Sequence, residues 1–253
     1  MKAMVLAAGL GTRLRPLTDT TPKALVRIAG RTMLEIALER LRKSGVSEVI
    51  VNAHHFADQI EAFLKNREDV GMRVEISRET DLLDTGGGLK KAAWFFLEDG
   101  PERDAPFIVH NVDVVSTIDL AQMLRYHVQS QALATLAVAA RESSRKLIFD
   151  ENGNLCGRRS GRSAEPQFVR PAQQASQLAF SGIHVVSPRI FSLLDETGTF
   201  SIIDAYLRLA GSGESIAGFR ADNDYWRDLG KPESIAAAER DIANGAIAAD
   251  QSI

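Results

Sequence analysis

Several short segments of this 253-residue chain have the residue types and spacing to handle a polyanion. Gly9-Leu10-Gly11-Thr12-Arg13-Leu14 sets backbone N–H groups unobstructed by Cβ atoms beside one cation, and Lys23 adds a second of different reach. Such a loop can wrap a run of phosphates. It matches neither of two better-known phosphate loops: a dinucleotide fingerprint needs glycine where Leu14 stands, and a Walker A loop needs Lys followed by Ser or Thr soon after the second glycine. A Gly-rich turn without ligand is the plain alternative, and the two cations favour anion binding. Asp113 in Asn111-Val112-Asp113 and Asp228 in Tyr225-Trp226-Arg227-Asp228-Leu229-Gly230 are acidic residues in apolar settings. Brought together, two carboxylates can hold Mg²⁺ against phosphate oxygens. The ordinary explanation is that Asp113 caps a helix starting near Asp119 and that Asp228 pairs with Arg227 or Arg220.

Other conspicuous residues carry less. His54 and His55 are adjacent at a strand end, point different ways and have no acidic neighbour in sequence, which favours a structural or acceptor-side role over a metal pair. Tyr225 and Trp226 read as packing, Asp19 and Thr20 as turn residues, and Cys156 as an inert thiol.

The elements that must position these groups alternate. Met4 to Ala8 reads as a strand covered on both faces, Met33 to Lys43 as a helix ended by Gly45, and Glu48 to Asn52 as a second strand, which makes a βαβ unit. A helix over Asp58 to Asn66, a strand over Met72 to Ile76 and a helix over Leu89 to Leu97, after three glycines, continue the pattern. Phe107 to Val109 is a short strand delivering Asp113 to its carboxyl end, where open α/β sheets bind ligands. A helix over Asp119 to Ser130 and a strand over Ala134 to Ala140 follow. Asn152-Gly153 between Leu147–Phe149 and Leu155–Cys156 predicts a hairpin. Residues 157–177, with Arg158, Arg159, Arg162 and Arg170 among Gly, Ser and Gln, read as a mobile loop or lid with solvated arginines. Strands over 183–186 and 215–219 and helices over 188–194, 202–209 and 233–243 complete the chain, with Asn244-Gly245 as a stop.

Composition sets the outer limits. Hydrophobic residues at 45% and charged residues at 25% are globular, which excludes disordered and collagen-like classes. Thirty Lys and Arg against 33 Asp and Glu leave a net charge of −3, so no global field exists to hold nucleic acid or an anionic membrane. One cysteine points to a reducing compartment, the cytoplasm by default. No stretch reaches the apolar length of a membrane helix, and the run from Ala3 to Leu10 is too short for a secretion signal. The expectation is a single α/β domain over 1–253: an alternating core over 1–140, an embedded β-rich acceptor region over 141–220, and a loop carrying Asp228 with a C-terminal helix over 221–253.

The run Leu6-Ala7-Ala8-Gly9-Leu10-Gly11-Thr12-Arg13-Leu14-Arg15-Pro16-Leu17-Thr18, followed by Pro22-Lys23, resembles the signature of sugar-1-phosphate nucleotidyltransferases. Val51 to His55, Glu79 to Gly88, Asn111 to Asp113, Phe180 to Ile183, Phe200 to Asp204 and Trp226 to Gly230 extend the resemblance, in order, along nearly the whole chain. Asn-x-His-His and Asp-Thr-Gly-Gly-Gly look most like the subgroup that includes N-acetylmuramate-1-phosphate uridylyltransferase, with mannose-1-phosphate guanylyltransferase-like chains nearby.

The resemblance implies a Rossmann-like, glycosyltransferase-A type sheet, mixed and mostly parallel, with helices on both faces and a β-rich acceptor insertion. It implies transfer of a nucleotidyl group from a nucleoside triphosphate, UTP favoured, to a sugar 1-phosphate, with pyrophosphate released. Ala7, Ala8 and Gly9 would approach the base through main chain; Gly11, Thr12 and Arg13 would hold phosphates; Lys23 would neutralise charge at the α-phosphate. Glu79, Thr85, Gly86, Gly87 and Asn111 would serve the nucleotide, Gly182 and Asp204 would border the sugar pocket, and Asp113 and Asp228 would ligate Mg²⁺. Three departures stand out. Asp84-Thr85-Gly86-Gly87 replaces Gly-Thr-Ala-Gly, keeping a flexible loop. The Glu-Lys-Pro segment that supplies a sugar-phosphate lysine is absent, leaving Arg158, Arg159 or Arg162 to substitute. Thr32 stands where relatives often have Pro. The competing functions are cytidylyl transfer to a phosphate such as phosphocholine, sensing of a nucleotide sugar without turnover, and glycosyl transfer, for which Asn111-Val112-Asp113 lacks the usual Asp-x-Asp.

Overall fold

The computed structural model describes residues 1–67, 71–98, 100, 105–161 and 163–245. The chain opens with β1 (Lys2–Leu6), and a long loop leads to the ribbon of β2 (Arg27–Ile28) and β3 (Arg31–Thr32). Helix α1 (Met33–Lys43) begins there because Thr32 accepts a hydrogen bond from Glu35 N–H at 3.1 Å while the Glu35 carboxylate accepts from Thr32 N–H, a capping box that proline could not make. Next come β4 (Glu48–Ala53), α2 (Ala57–Lys65), β5 (Arg73–Arg78), α3 (Asp84–Lys91), α4 (Ala93–Leu97) and β6 (Phe107–Asn111). Then follow β7 (Val114–Ser116), α5 (Leu120–Ser130), β8 (Ala134–Ala139), β9 (Arg145–Phe149), β10 (Leu155–Ser160), β11 (Gln167–Phe168) and β12 (Ser176–Val186). The chain finishes with α6 (Ile202–Gly211), β13 (Ile216–Arg220), β14 (Trp226–Asp228) and α7 (Pro232–Ala243).

The central sheet runs β5-β4-β1-β6-β12, with β8 and β13 continuing beyond β12. β5, β4, β1 and β6 are mutually parallel, whereas β12 is antiparallel to both β6 and β8. Alternation along β1 explains why both faces are covered: Ala3 and Val5 join the core beneath α1, α2, α5 and α7, and Met4 joins the core beneath α3, α4 and α6. The mixed, mostly parallel sheet with helices on both faces is thus as expected. No helix among the described residues is long and apolar enough to cross a membrane.

β12 is the element that joins the parallel strands to the antiparallel β9–β11. Its C-terminal part pairs with β6 and its N-terminal part with β9, with an irregularity between Phe180 and His184 where Gly182 takes φ +74°. A glycine there meets the left-handed requirement of the bend. The predicted loop over 157–177 is in part strand: β10 runs to Ser160 and pairs with β9 and with β11, β12 starts at Ser176, and the described residues between these strands are turns and irregular backbone. Its arginines are not free in solvent either, since Arg158 is ion-paired with Asp204 and Arg170 with Asp150. Arg162 lies outside the described residues.

The three glycines before the predicted helix at Leu89 are a second correction. They form the first turns of α3, which starts at Asp84 and gives way to α4 after Ala92. Gly86 and Gly87 donate backbone N–H groups to the Phe200 carbonyl at 2.9 and 3.3 Å, so this segment is docked and not flexible. A Cβ at residue 86 would fall 2.3 Å from the Phe200 ring, one at 87 would fall 2.4 Å from the Gly198 carbonyl, and one at 88 would fall 2.8 Å from Asn52 and Glu79. Close approach overrides the low helix propensity of glycine.

Candidate active site

The parallel strands β1, β4 and β6 end side by side, and the cleft beyond their carboxyl ends has a volume of about 340 Å³. Ala8 and Gly9 of the first loop, Asn52 at the end of β4, Thr85 of α3, Asn111, Asp113 and Lys23 all line it, with Leu82, Asp84 and Thr199 closing one side. The first loop is shaped locally. Gly11 has φ +66°, its carbonyl accepts from Thr18 Oγ and from Leu14 N–H at 2.8 Å, and Thr12 to Leu14 form a single tight turn. Leu14 is buried under that turn, which leaves Thr12 and Arg13 exposed at the rim.

The two aspartates come together through backbone pairing. β14 runs antiparallel to β7 with Asp228 opposite Val114, and Leu229 N–H donates to the Asp113 carbonyl at 2.8 Å. The ordinary explanations do not hold: Arg227 pairs with Asp241, Arg220 with Asp222, and Asp119 caps α5. The Lys23 ammonium is ion-paired with Asp113 Oδ2. Arg13 arrives from the first loop at the same place, since a Cβ on Gly230 would fall 2.4 Å from an Arg13 guanidinium nitrogen and 2.7 Å from Asp228 Oδ1. Gly230 N–H donates to that same oxygen at 2.7 Å.

Several expected nucleotide residues act one layer further back. Ala7 N–H donates to Asn52 Oδ1 at 2.7 Å, which occupies it, and Asn52 Nδ2 donates to Glu79 Oε1 at 2.7 Å. Glu79 is buried, accepts from Leu83 N–H at 3.1 Å through its other oxygen, and holds β4, β5 and the turn before α3 together. Gly86 and Gly87 are buried behind Thr85, whose hydroxyl accepts from Ile202 N–H at 3.0 Å. Gly182 packs against Asn111, with 2.8 Å between its notional Cβ and Asn111 Nδ2. Asp204 is exposed on α6 in its pair with Arg158. His54 Nδ1 lies 3.0 Å from the Glu79 carbonyl, a structural contact.

Two residues without an assigned role emerge. Asn52 lines the cleft and ties it to Glu79; its signal was a polar residue ending an apolar β run. Arg141, just after β8, donates to Ser181 Oγ at 2.9 Å and to the Phe180 carbonyl at 2.5 Å, and stacks at 3.6 Å over the Trp226 ring. Burial lowers its pKa to about 10, opposed by the nearby charges of Asp228 and Asp222. Below the site, buried Arg40 donates to the carbonyls of Ser116 and Ile118 and so anchors the end of β7. Burial brings its pKa down to about 10, with Asp224 and Asp119 opposing.

Comparison with known proteins agrees with this architecture. A family profile described as nucleotidyl transferase matches residues 2–245. N-acetylmuramate alpha-1-phosphate uridylyltransferase of Caulobacter vibrioides is 34% identical over 95% of this chain and 96% of its own length. Mannose-1-phosphate guanyltransferase of Yarrowia lipolytica is 31% identical over 93% of this chain, which spans 62% of that protein. Among solved structures, HddC from Yersinia pseudotuberculosis complexed with GMP-PN superposes with a TM-score of 0.73 at 23% identity, over 94% of this chain and 98% of that one. A UDP-glucose pyrophosphorylase complexed with UDP-glucose gives 0.75 at 21% identity, over 96% and 98%.

Proposed function

The chain belongs to the nucleotidyl transferase family, and on that premise we propose that it joins UTP to an N-acetylmuramate-like sugar 1-phosphate, releasing pyrophosphate. The observation that carries the reading is the meeting, beside one cleft, of Lys23, Asp113 and Asp228 from three distant parts of the chain. The general reaction is nucleotidyl transfer to a sugar phosphate. A sugar-phosphate oxygen attacks the α-phosphorus, the α–β phosphoanhydride bond breaks, and pyrophosphate departs in line. That oxygen is already anionic near neutral pH, so no general base is needed. The task is to hold two polyanions together, which Arg13 and Lys23 serve as cations and the N–H groups of the first loop as neutral donors.

The donor set fits a divalent metal. Asp113 and Asp228 offer hard oxygen ligands, and no cluster of three or more His, Cys, Asp or Glu able to hold a metal exists among the described residues. Two carboxylates completed by water and substrate phosphates is the habit of Mg²⁺, unlike cages built wholly from protein. When bound, Mg²⁺ would neutralise phosphate charge. Lys23, whose ammonium holds Asp113 here, would then turn to the α-phosphate. In this reading Ala8, Gly9, Asn52, Thr85 and Asn111 receive base and ribose, with Ala7, Glu79, Gly86 and Gly87 fixing them from behind. Gly11, Thr12 and Arg13 hold phosphates, and Gly182 and Asp204 border the sugar. Residues 1–140 form the nucleotide core, 141–220 the acceptor region and 221–253 the metal loop and last helix. The protein would work in the cytoplasm.

Pyrophosphate release decides the matter. Pairing UTP, GTP, CTP and dTTP with N-acetylmuramate, N-acetylglucosamine, glucose and mannose 1-phosphates, plus phosphocholine, should give the fastest turnover with UTP and the muramate compound. Faster turnover of GTP with mannose 1-phosphate would move the protein toward its guanyltransferase relative, and no turnover with any pair would refute the reaction.

A further inference from the structure

Resting on the reaction above, we propose that Arg141 is the residue that grips the phosphate of the sugar 1-phosphate, in place of the missing Glu-Lys-Pro lysine. Three observations carry this. First, the guanidinium is held in place before any ligand arrives: two polar contacts go to Phe180 and Ser181 of β12, and its face lies on the Trp226 indole, whose own N–H donates to the Ser181 carbonyl at 2.7 Å. A stacked, doubly tethered guanidinium has lost its flexibility in advance and still offers further N–H donors for a planar fork onto phosphate.

Second, its charge is unspent. No carboxylate lies within ion-pair distance of Arg141 among the described residues, although Asp228 and Asp222 act on it from further away. Of the arginines considered as substitutes, Arg158 is neutralised by Asp204, Arg159 sits on β10 opposite Lys146 and has none of the tethers to Ser181 and Trp226, and Arg162 lies outside the described residues. A clamp serving only the bend in β12 would need donors and no net charge. A half-buried cation without a direct counter-ion suits an anionic ligand.

Third, its position fits. Arg141 touches Trp226, two residues before Asp228, while Arg13 reaches Gly230, two residues after it. Ser181, which Arg141 holds, precedes Gly182, which packs on the cleft residue Asn111. Arg141 therefore stands just after β8 with its guanidinium against β12, between the proposed acceptor region and the strand that carries Asp228.

The test follows pyrophosphate release by the full chain, with UTP and N-acetylmuramate 1-phosphate or with whichever panel pair the wild type turns over fastest. Losing a hydrogen-bonded contact to a charged group should raise the sugar-phosphate KM of Arg141→Gln about 10- to 100-fold. The KM for the nucleotide should stay within about twofold, and Arg141→Lys, which keeps charge without the fork, should recover part of the loss. Equal rises in both KM values, or no rise in either, would overturn the proposal in favour of a structural clamp. If Arg141→Gln fails to fold, the same two KM values of Arg141→Lys decide: a rise confined to the sugar phosphate supports the assignment, and any other pattern overturns it. A wild type inactive on every pair would instead sink the reaction itself, a failure visible before any variant is made.

Discussion

Lys23 and Asp113, 90 residues apart, meet as an ion pair with side chains only 12% and 13% exposed. The pair couples the first loop to the strand end that carries the proposed metal-binding carboxylate, so on that reading fold and chemistry draw on one contact. Lys23→Ala should lower turnover on the order of 10² to 10³, the usual worth of one positioned cation at a developing charge. A variant keeping more than half the wild-type rate would remove Lys23 from the mechanism. Lys23→Met should also lower stability by leaving Asp113 unpaired, and Lys23→Met with Asp113→Asn should restore most of that loss in urea titrations.

Gly9 and Gly87 should separate binding from folding. Gly9 lines the cleft and a Cβ there meets nothing within 4 Å, whereas one at Gly87 would strike the Gly198 carbonyl at 2.4 Å. Gly9→Ala should therefore leave the melting temperature nearly unchanged while weakening UTP binding, measured by calorimetry, by about tenfold, or roughly 1.4 kcal/mol. Gly87→Ala should destabilise by about 1 to 3 kcal/mol in denaturant titrations, as overpacking does.

Asn52 should matter to stability as well as to affinity. It joins Ala7 N–H to the Glu79 carboxylate in a buried chain of hydrogen bonds. Asn52→Leu leaves both partners unsatisfied and should cost about 2 to 4 kcal/mol in chemical denaturation. An effect under 0.5 kcal/mol would mean that the chain has no energetic role.

Acid should weaken the fold through two histidines. Burial pushes His110 down to about 3, helped by the Arg40 charge, and burial pushes His184 to about 3 as well. Unfolded, each takes up a proton near 6.5, so below that value the unfolded chain binds more protons and stability falls with pH until about 3. The loss between pH 7 and 5 should be about 2 to 4 kcal/mol in urea titrations, and smaller in His184→Gln. A flat profile would place both rings in contact with water.

Much of this was readable in the residues. Met33 to Lys43 and Glu48 to Ala53 announce themselves because burial on one or two faces imposes a period on their own sequence. Asn152-Gly153 marks the turn between β9 and β10 because the left-handed conformation, φ +77° at Gly153, selects its residue. Gly86 and Gly87 misled because their cause is the Phe200 ring and the Gly198 carbonyl, far away in sequence. The strands missed within 157–177 have the same origin: the polar end of β10, and β11, are strands by virtue of their partners, not of any pattern. Arg141 was silent because one charged residue after an apolar strand leaves no period to detect, and only the approach of Ser181 and Trp226 gives it meaning.

The three-residue ladder of β7 and β14 has a bearing on birth as well as on action. During synthesis a chain that has emerged only to residue 225 already contains the strands, the first loop and Asp113, yet lacks the carboxylate that completes the pair. On the proposed reading such a chain would lodge triphosphate before it could spend it, and would stay inert on the ribosome until β14 docks.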